Sequence, residues 1–141
     1  MLDRETAARI CEQALHMSQA DGCEVTVGGG RDALTRFANN EVHQNMASES
    51  YELSVRSIYG KRTGRASTTR LDAEGIASAV QASEHIARMM PVLDDLPELP
   101  TPQEYGDVPA AHDEATANLG AAARAERAAA VIDIAREAGY S

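Results

Sequence analysis

LTRFANNEVHQNMASESYELSVRSIYGKRTGRASTT, residues 34–69, is the stretch on which the fold turns. Asn39-Asn40 stands between Thr35–Ala38 and Glu41–Gln44. Asparagine tolerates the positive φ that both central residues of a type I′ turn require, so the pair predicts a tight hairpin. From Tyr51 onward the side chains alternate, with Tyr51, Leu53, Val55 and Tyr59 on one face and Glu52, Ser54 and Arg56 on the other, the period of a half-buried strand. Gly60-Lys61 fits the Gly-X pattern of a type II′ turn. That turn sets a register: Tyr59 with Arg62, Ser57 with Gly64, Val55 with Ala66, and Arg56 directly opposite Arg65. A like-charge cross-strand pair is unfavourable unless an anion answers it.

The flanks are helical. From Asp3 to Ala20, residues Ala7, Ile10, Cys11, Ala14, Leu15 and Ser18 share one face, Asp3 can cap the start, and Asp21-Gly22 supplies a stop. Cys23–Val27 alternates as a strand, and Gly28-Gly29-Gly30 is expected to end it as a flexible connection. A phosphate loop would need GxxxxGK[ST] leading into a helix, which is absent. From Asp72 to Met90 a continuous stripe of Ile76, Ala79, Val80, Ser83, Ile86, Ala87 and Met90 predicts a helix, with Leu71 and Ile76 placed as a hydrophobic staple and Pro91 ending the run. Residues 91–117 gather five prolines and many acids, which predicts an extended acidic crossover. A last Ala-rich helix spans about Asn118 to Ala138, its stripe Ala125, Ala128, Val131, Ile132, Ala135 and Ala138, with Gly139 as its stop. The sum is one α+β domain, residues 1–141, with a mixed or antiparallel sheet of about five strands covered by about three helices.

Composition narrows the function. The formal net charge is −9, which disfavours direct, sequence-independent contact with nucleic acid, where Lys and Arg neutralise phosphate. The chain has no Trp and one Phe, so small aliphatic side chains must carry the core. Cys11 and Cys23 lack metal-ligand spacing and read as reduced thiols. No apolar run approaches the ~20 residues of a membrane helix, and the charged N-terminus lacks an apolar signal segment, so a cytoplasmic location without membrane contact is expected. The four histidines are isolated from one another, and no HExxH, HExxxH or GxSxG occurs; no catalytic or metal-binding residue is assigned.

One charge feature stands out. No acid lies between Glu52 and Asp72, while Arg56, Lys61, Arg62, Arg65 and Arg70 fall there, including the chain's sole Lys. These five are the candidate binding residues. They either decorate an exposed strand against edge pairing, dock on the chain's own acidic loop, or hold a carboxylate-bearing ligand or protein partner.

Taken in order, the strand Glu24–Val27, TRFANNEVHQN (35–45), ELSVRSIYGKRTGRASTT (52–69), the helix LDAEGIASAVQASEHIARMMP (71–91) and LPELPTP (96–102) resemble the N-terminal domain of the TldD/PmbA family, metalloprotease-related proteins also called modulators of DNA gyrase. The resemblance implies a two-domain protein, homodimeric or paired with a paralogous TldD/PmbA-like subunit, that cleaves unfolded peptides. It implies zinc held by an HExxxH helix and a distant Cys in a region beyond this one, since no histidine or cysteine here matches that motif. A chain that stops at Ser141 reads as a domain or piece of a longer protein, acting in peptide binding and assembly and inactive alone. The alternative is a stand-alone, inert regulatory module that works through protein contacts.

Overall fold

In the computed structural model, which describes residues 2–101, 103, 104, 106 and 111–140, the chain runs α1 (Arg4–Met17), β1 (Gly22–Ala38), β2 (Glu41–Tyr59), β3 (Arg62–Thr68), α2 (Ala73–Met89), α3 (Glu114–Ala117) and α4 (Ala121–Glu137). The strands form one antiparallel sheet in the order β1-β2-β3. The class is the expected α+β, but the described residues hold three strands, not about five. The break read at the glycine triplet does not exist: the triplet stays within β1, and β2 runs unbroken from Glu41 to Tyr59. Gly29 keeps β1 continuous by adopting φ 138°, a conformation open to glycine. A Cβ there would sit 2.2 Å from the Ser50 carbonyl oxygen and 2.6 Å from Tyr51 Cα. The triplet is therefore a close strand crossing and not a flexible connection.

Both hairpin turns are where the sequence puts them. Asn39 and Asn40 have φ of 51° and 59°, as a type I′ turn requires of both central residues. Gly60 has φ 56° and Lys61 is not among the positive-φ residues. The β2–β3 register is Tyr59↔Arg62, Ser57↔Gly64, Val55↔Ala66 and Arg56↔Arg65, as the turn dictates.

The chain divides into two compact units, Met1–Gly30 with Glu49–Gln103, and Arg31–Ser48 with Glu104–Ser141. In the first, α1 and α2 pack on one face of the sheet. Ile10 and Ala14 of α1, Leu53 and Val55 of β2, and Ile76, Ala79 and Val80 of α2 make the core, with Leu2, Cys23, Val25, Val27 and Leu71 packed against it. Asp3 caps α1 by accepting the Thr6 N–H at 2.7 Å, and Asp72 caps α2 by accepting the Gly75 N–H at 2.8 Å. The contact of α2 with β3 is too close for a side chain at Gly64, whose Cβ would lie 2.3 Å from Ala87 N. Beside it Ser57 and Ser83, both fully buried, pair through their hydroxyls at 2.7 Å.

In the second unit α4 rests on the Asn39-Asn40 hairpin through polar contacts. Arg124 donates to Thr35 Oγ1, Asn45 Oδ1 and the Leu119 carbonyl, and Arg136 donates to the Asn40 carbonyl at 2.7 Å. Ala128 and Ile132 are buried, but Val131, read as part of the apolar stripe, is 52% exposed. The expected helix at Asn118 begins at Ala121 instead. A separate turn, α3, precedes it, capped by Asp113. The crossover 91–117 thus ends in a helical turn, while Pro102, Asp107 and Pro109 within it lie outside the described residues.

Candidate functional site

The sheet face turned away from α1 and α2 carries the polar half of each strand's alternation. The Arg56–Arg65 pair lies here, and the anion it calls for is Glu24 of β1. Arg56 Nη2 reaches Glu24 Oε2 at 2.7 Å and Arg65 Nη2 reaches Oε1 at 2.8 Å. Arg65 also donates to Ser54 Oγ at 2.9 Å. The hydrogen bond from Arg65, and then that from Arg56, hold the Glu24 carboxyl below the usual carboxylate range against the upward push of burial. Two cations share one anion, so the group keeps a surplus positive charge.

The remaining basic residues are elsewhere. Lys61, at the β2–β3 turn, donates from Nζ to the Asp94 carbonyl at 2.5 Å, and its own carbonyl accepts the Leu93 N–H at 2.8 Å. The hairpin tip therefore does dock on the acidic loop, through main chain and not carboxylates. Arg62 donates to the Arg88 carbonyl at 3.2 Å, on the α2 side of the sheet. Arg70 engages Asp72 and Glu74 at the start of α2. Of the five candidates only Arg56 and Arg65 are brought together, on Glu24; Lys61, Arg62 and Arg70 lie apart from them, and the five do not form one patch.

Two features were not read from the sequence. The first is Glu84 on α2, whose side chain is 8% exposed. Its carboxylate accepts from the Gln19 N–H at 2.6 Å, the Ser18 hydroxyl at 3.1 Å and Arg88 Nη2 at 3.1 Å. Arg88 in turn lies over the Tyr59 ring, 4.4 Å from its centroid, and donates to the Tyr59 hydroxyl. Burial pushes the Glu84 carboxyl upward, but these hydrogen bonds outweigh it and the net shift is downward.

The second is a depression of about 350 Å³ on the outer sheet face, floored by Gly28 and lined by Thr26, Ser50, Glu52, Ser54 and Thr69. Nothing lies within 4 Å of a Cβ built at Gly28. The signal available in the sequence was the glycine run itself, once it is kept within the strand.

Among the described residues no three of His, Cys, Asp and Glu are grouped so as to hold a metal ion. His16 Nδ1 is held by the Glu12 carbonyl at 2.7 Å and His112 pairs with Glu114 at 2.7 Å. Cys11 and Cys23 are free, and burial pushes both thiols up, away from the reactive thiolate. No described helix is long and apolar enough to cross a membrane.

A three-stranded antiparallel sheet packed with helices defines a domain of the α+β class. Residues 23–87 match the family described as PmbA/TldA metallopeptidase domain 1. The fold is similar to that of TldE from Thermococcus kodakarensis, with a TM-score of 0.77 and 20% identity over 92% of this chain and 29% of that one. It is also similar to a proposed modulator of DNA gyrase from Bacteroides thetaiotaomicron, with a TM-score of 0.69 and 18% identity over 93% of this chain and 31% of that one. The chain thus spans about a third of the length of either structure. No curated protein matches it in sequence.

Proposed function

We propose that this chain serves as the peptide-binding and assembly domain of a cytoplasmic PmbA/TldD-type metallopeptidase, contributing no catalytic residue itself. In this reading the zinc and the HExxxH helix belong to another part of a longer protein, and the subunits pair as homodimers or with a paralogous TldD/PmbA-like partner. The observation that carries the reading is the incompletely covered sheet. β3 pairs with β2 only from Leu53 to Tyr59, so an extended, unfolded peptide can add alongside β2 through main-chain hydrogen bonds. The surplus charge of Arg56 and Arg65 over Glu24 supplies a place for a peptide carboxylate, at the half-exposed Arg65. The test is fluorescence anisotropy with a labelled, structureless 12-residue peptide. Saturable binding, weakened by Arg65→Gln, is expected; no binding at millimolar protein overturns the peptide role.

A second reading, an inert regulatory module acting through protein contacts, is favoured by the exposed Leu34, Phe37, Val42 and Met46 of the Asn39-Asn40 hairpin. A link to gyrase, suggested by the name of one structural relative, would run through such contacts. Retardation of plain duplex DNA at physiological salt contradicts this, because the net charge of −9 opposes phosphate binding.

A further inference from the structure

We propose that the free edge of β2 at Ser50–Glu52, together with the depression over Gly28, takes a cationic Lys or Arg side chain of a bound extended peptide, with Glu52 as its counter-ion. This rests on the peptide-binding reading and names which side chain that edge prefers.

Three independent observations meet at this place. The first is the end of β3. Its last partner on β2 is Leu53, opposite Thr68, so on that edge β2 continues past it with no described strand alongside. The Ser50 carbonyl faces Gly29 of β1, as the 2.2 Å approach to a Cβ there shows. Main-chain groups of successive residues point to alternate edges of a strand, so the N–H and C=O of Tyr51 point to the free edge.

The second is the space. The depression of about 350 Å³ beside this edge, lined in part by the bare Gly28, is large enough for a long aliphatic stem. The third is the chemistry of the lining. Glu52 has no hydrogen-bond or ion-pair partner among the described residues, whereas Glu24 and Glu84 of the same unit are both engaged by arginines. The hydroxyls of Thr26, Ser50 and Thr69 stand around it. A carboxylate with hydroxyl acceptors matches an ammonium with three donors or a guanidinium with five. An acidic side chain meets repulsion there, and an apolar one leaves the polar lining unanswered.

The experiment titrates the whole chain, followed by amide NMR, with acetyl-Thr-Val-Lys-Val-Thr-amide and with the same peptide carrying norleucine in place of lysine. The lysine peptide is expected to bind about three- to fivefold tighter, the scale of an ion pair at an exposed carboxylate, and to shift the amides of Thr26, Gly28, Glu52 and Thr69. Glu52→Gln abolishes the preference without weakening the norleucine peptide. Gly28→Val fills the depression and weakens the lysine peptide; circular dichroism and the melting temperature confirm that the variant folds. Equal affinities for the two peptides, or a lysine preference that survives Glu52→Gln, overturn the inference while leaving peptide binding intact. If neither peptide binds, the peptide-binding reading fails with it.

Discussion

Replacing Glu84 by Gln isolates the charge of the most deeply engaged carboxylate in the first unit. The amide oxygen placed at the Oε1 position retains the Gln19 N–H and Ser18 hydroxyl as donors, now to a neutral acceptor. The amide nitrogen at the Oε2 position faces Arg88, donor against donor. One charge-assisted bond is lost outright, a contribution of about 1.5–3 kcal/mol when buried. Arg88 is 53% exposed and can turn to water, which lowers the loss to roughly 1–2 kcal/mol. For a chain of this size that corresponds to a fall in Tm of about 4–8 °C at pH 7. The assay is thermal unfolding of both proteins across pH, with amide exchange at Gln19 as a local readout.

The pH dependence has a definite sign. The folded Glu84 carboxyl is depressed below its ordinary value of 4.5, so its contribution is present in full above that pH and is lost as the pH falls through the folded value. The gap between wild type and Glu84→Gln should hold steady from pH 7 to about 5 and close below about 4. A variant within one degree of wild type at pH 7, or a gap of undiminished size at pH 3, refutes the reasoning.

Other expectations follow from single contacts. Gly29→Ala forces a Cβ to 2.2 Å from the Ser50 oxygen at a φ of 138°, and should destabilise by about 3 kcal/mol or more in urea unfolding, while Gly28→Ala, with open space around it, should stay within about 0.5 kcal/mol. Gly64→Ala pushes against Ala87 N and Ser83 O at 2.3 and 2.5 Å, with an expected loss of about 2 kcal/mol as α2 is lifted from β3. A double-mutant cycle of Glu24→Gln with Arg65→Gln should give a coupling of roughly 0.5–1 kcal/mol, shrinking at high salt; additivity at low salt would show that the bridge contributes nothing.

How much could be read in advance depended on whether a rule was local. The β2–β3 register was legible residue by residue, since Gly60-Lys61 fixes the turn and period-two alternation fixes the faces. The same rule exposed the Arg56–Arg65 conflict but could not name its resolution. Glu24 lies 32 residues before Arg56, and only the pairing of β1 with β2 brings it there. Glu84 was overlooked for a related reason: its neighbours Ser18 and Gln19 follow a different helix, so nothing within α2 marks it as buried. Val131 failed in the opposite direction. An Ala-rich helix presents several plausible stripes, and the polar forks of Arg124 and Arg136, not apolar periodicity, decide how α4 lies on its hairpin.

The glycine triplet separates two roles that composition cannot distinguish. Gly29 has to be glycine, because its φ and the close pass of Ser50 and Tyr51 leave no room for a Cβ. Gly28 and Gly30 have neither constraint: a Cβ at either meets nothing within 4 Å, and neither has positive φ. A strand that needed only to be a strand would favour a β-branched residue at such positions, since glycine there carries an entropic cost without a packing return. The bare main chain at Gly28 therefore has no explanation in the fold of the strand itself. It has one if another chain lies across it, and Gly28→Val tests that directly: a variant that folds as well as wild type yet loses the lysine-bearing peptide would show that this glycine keeps the outer sheet face open for a ligand.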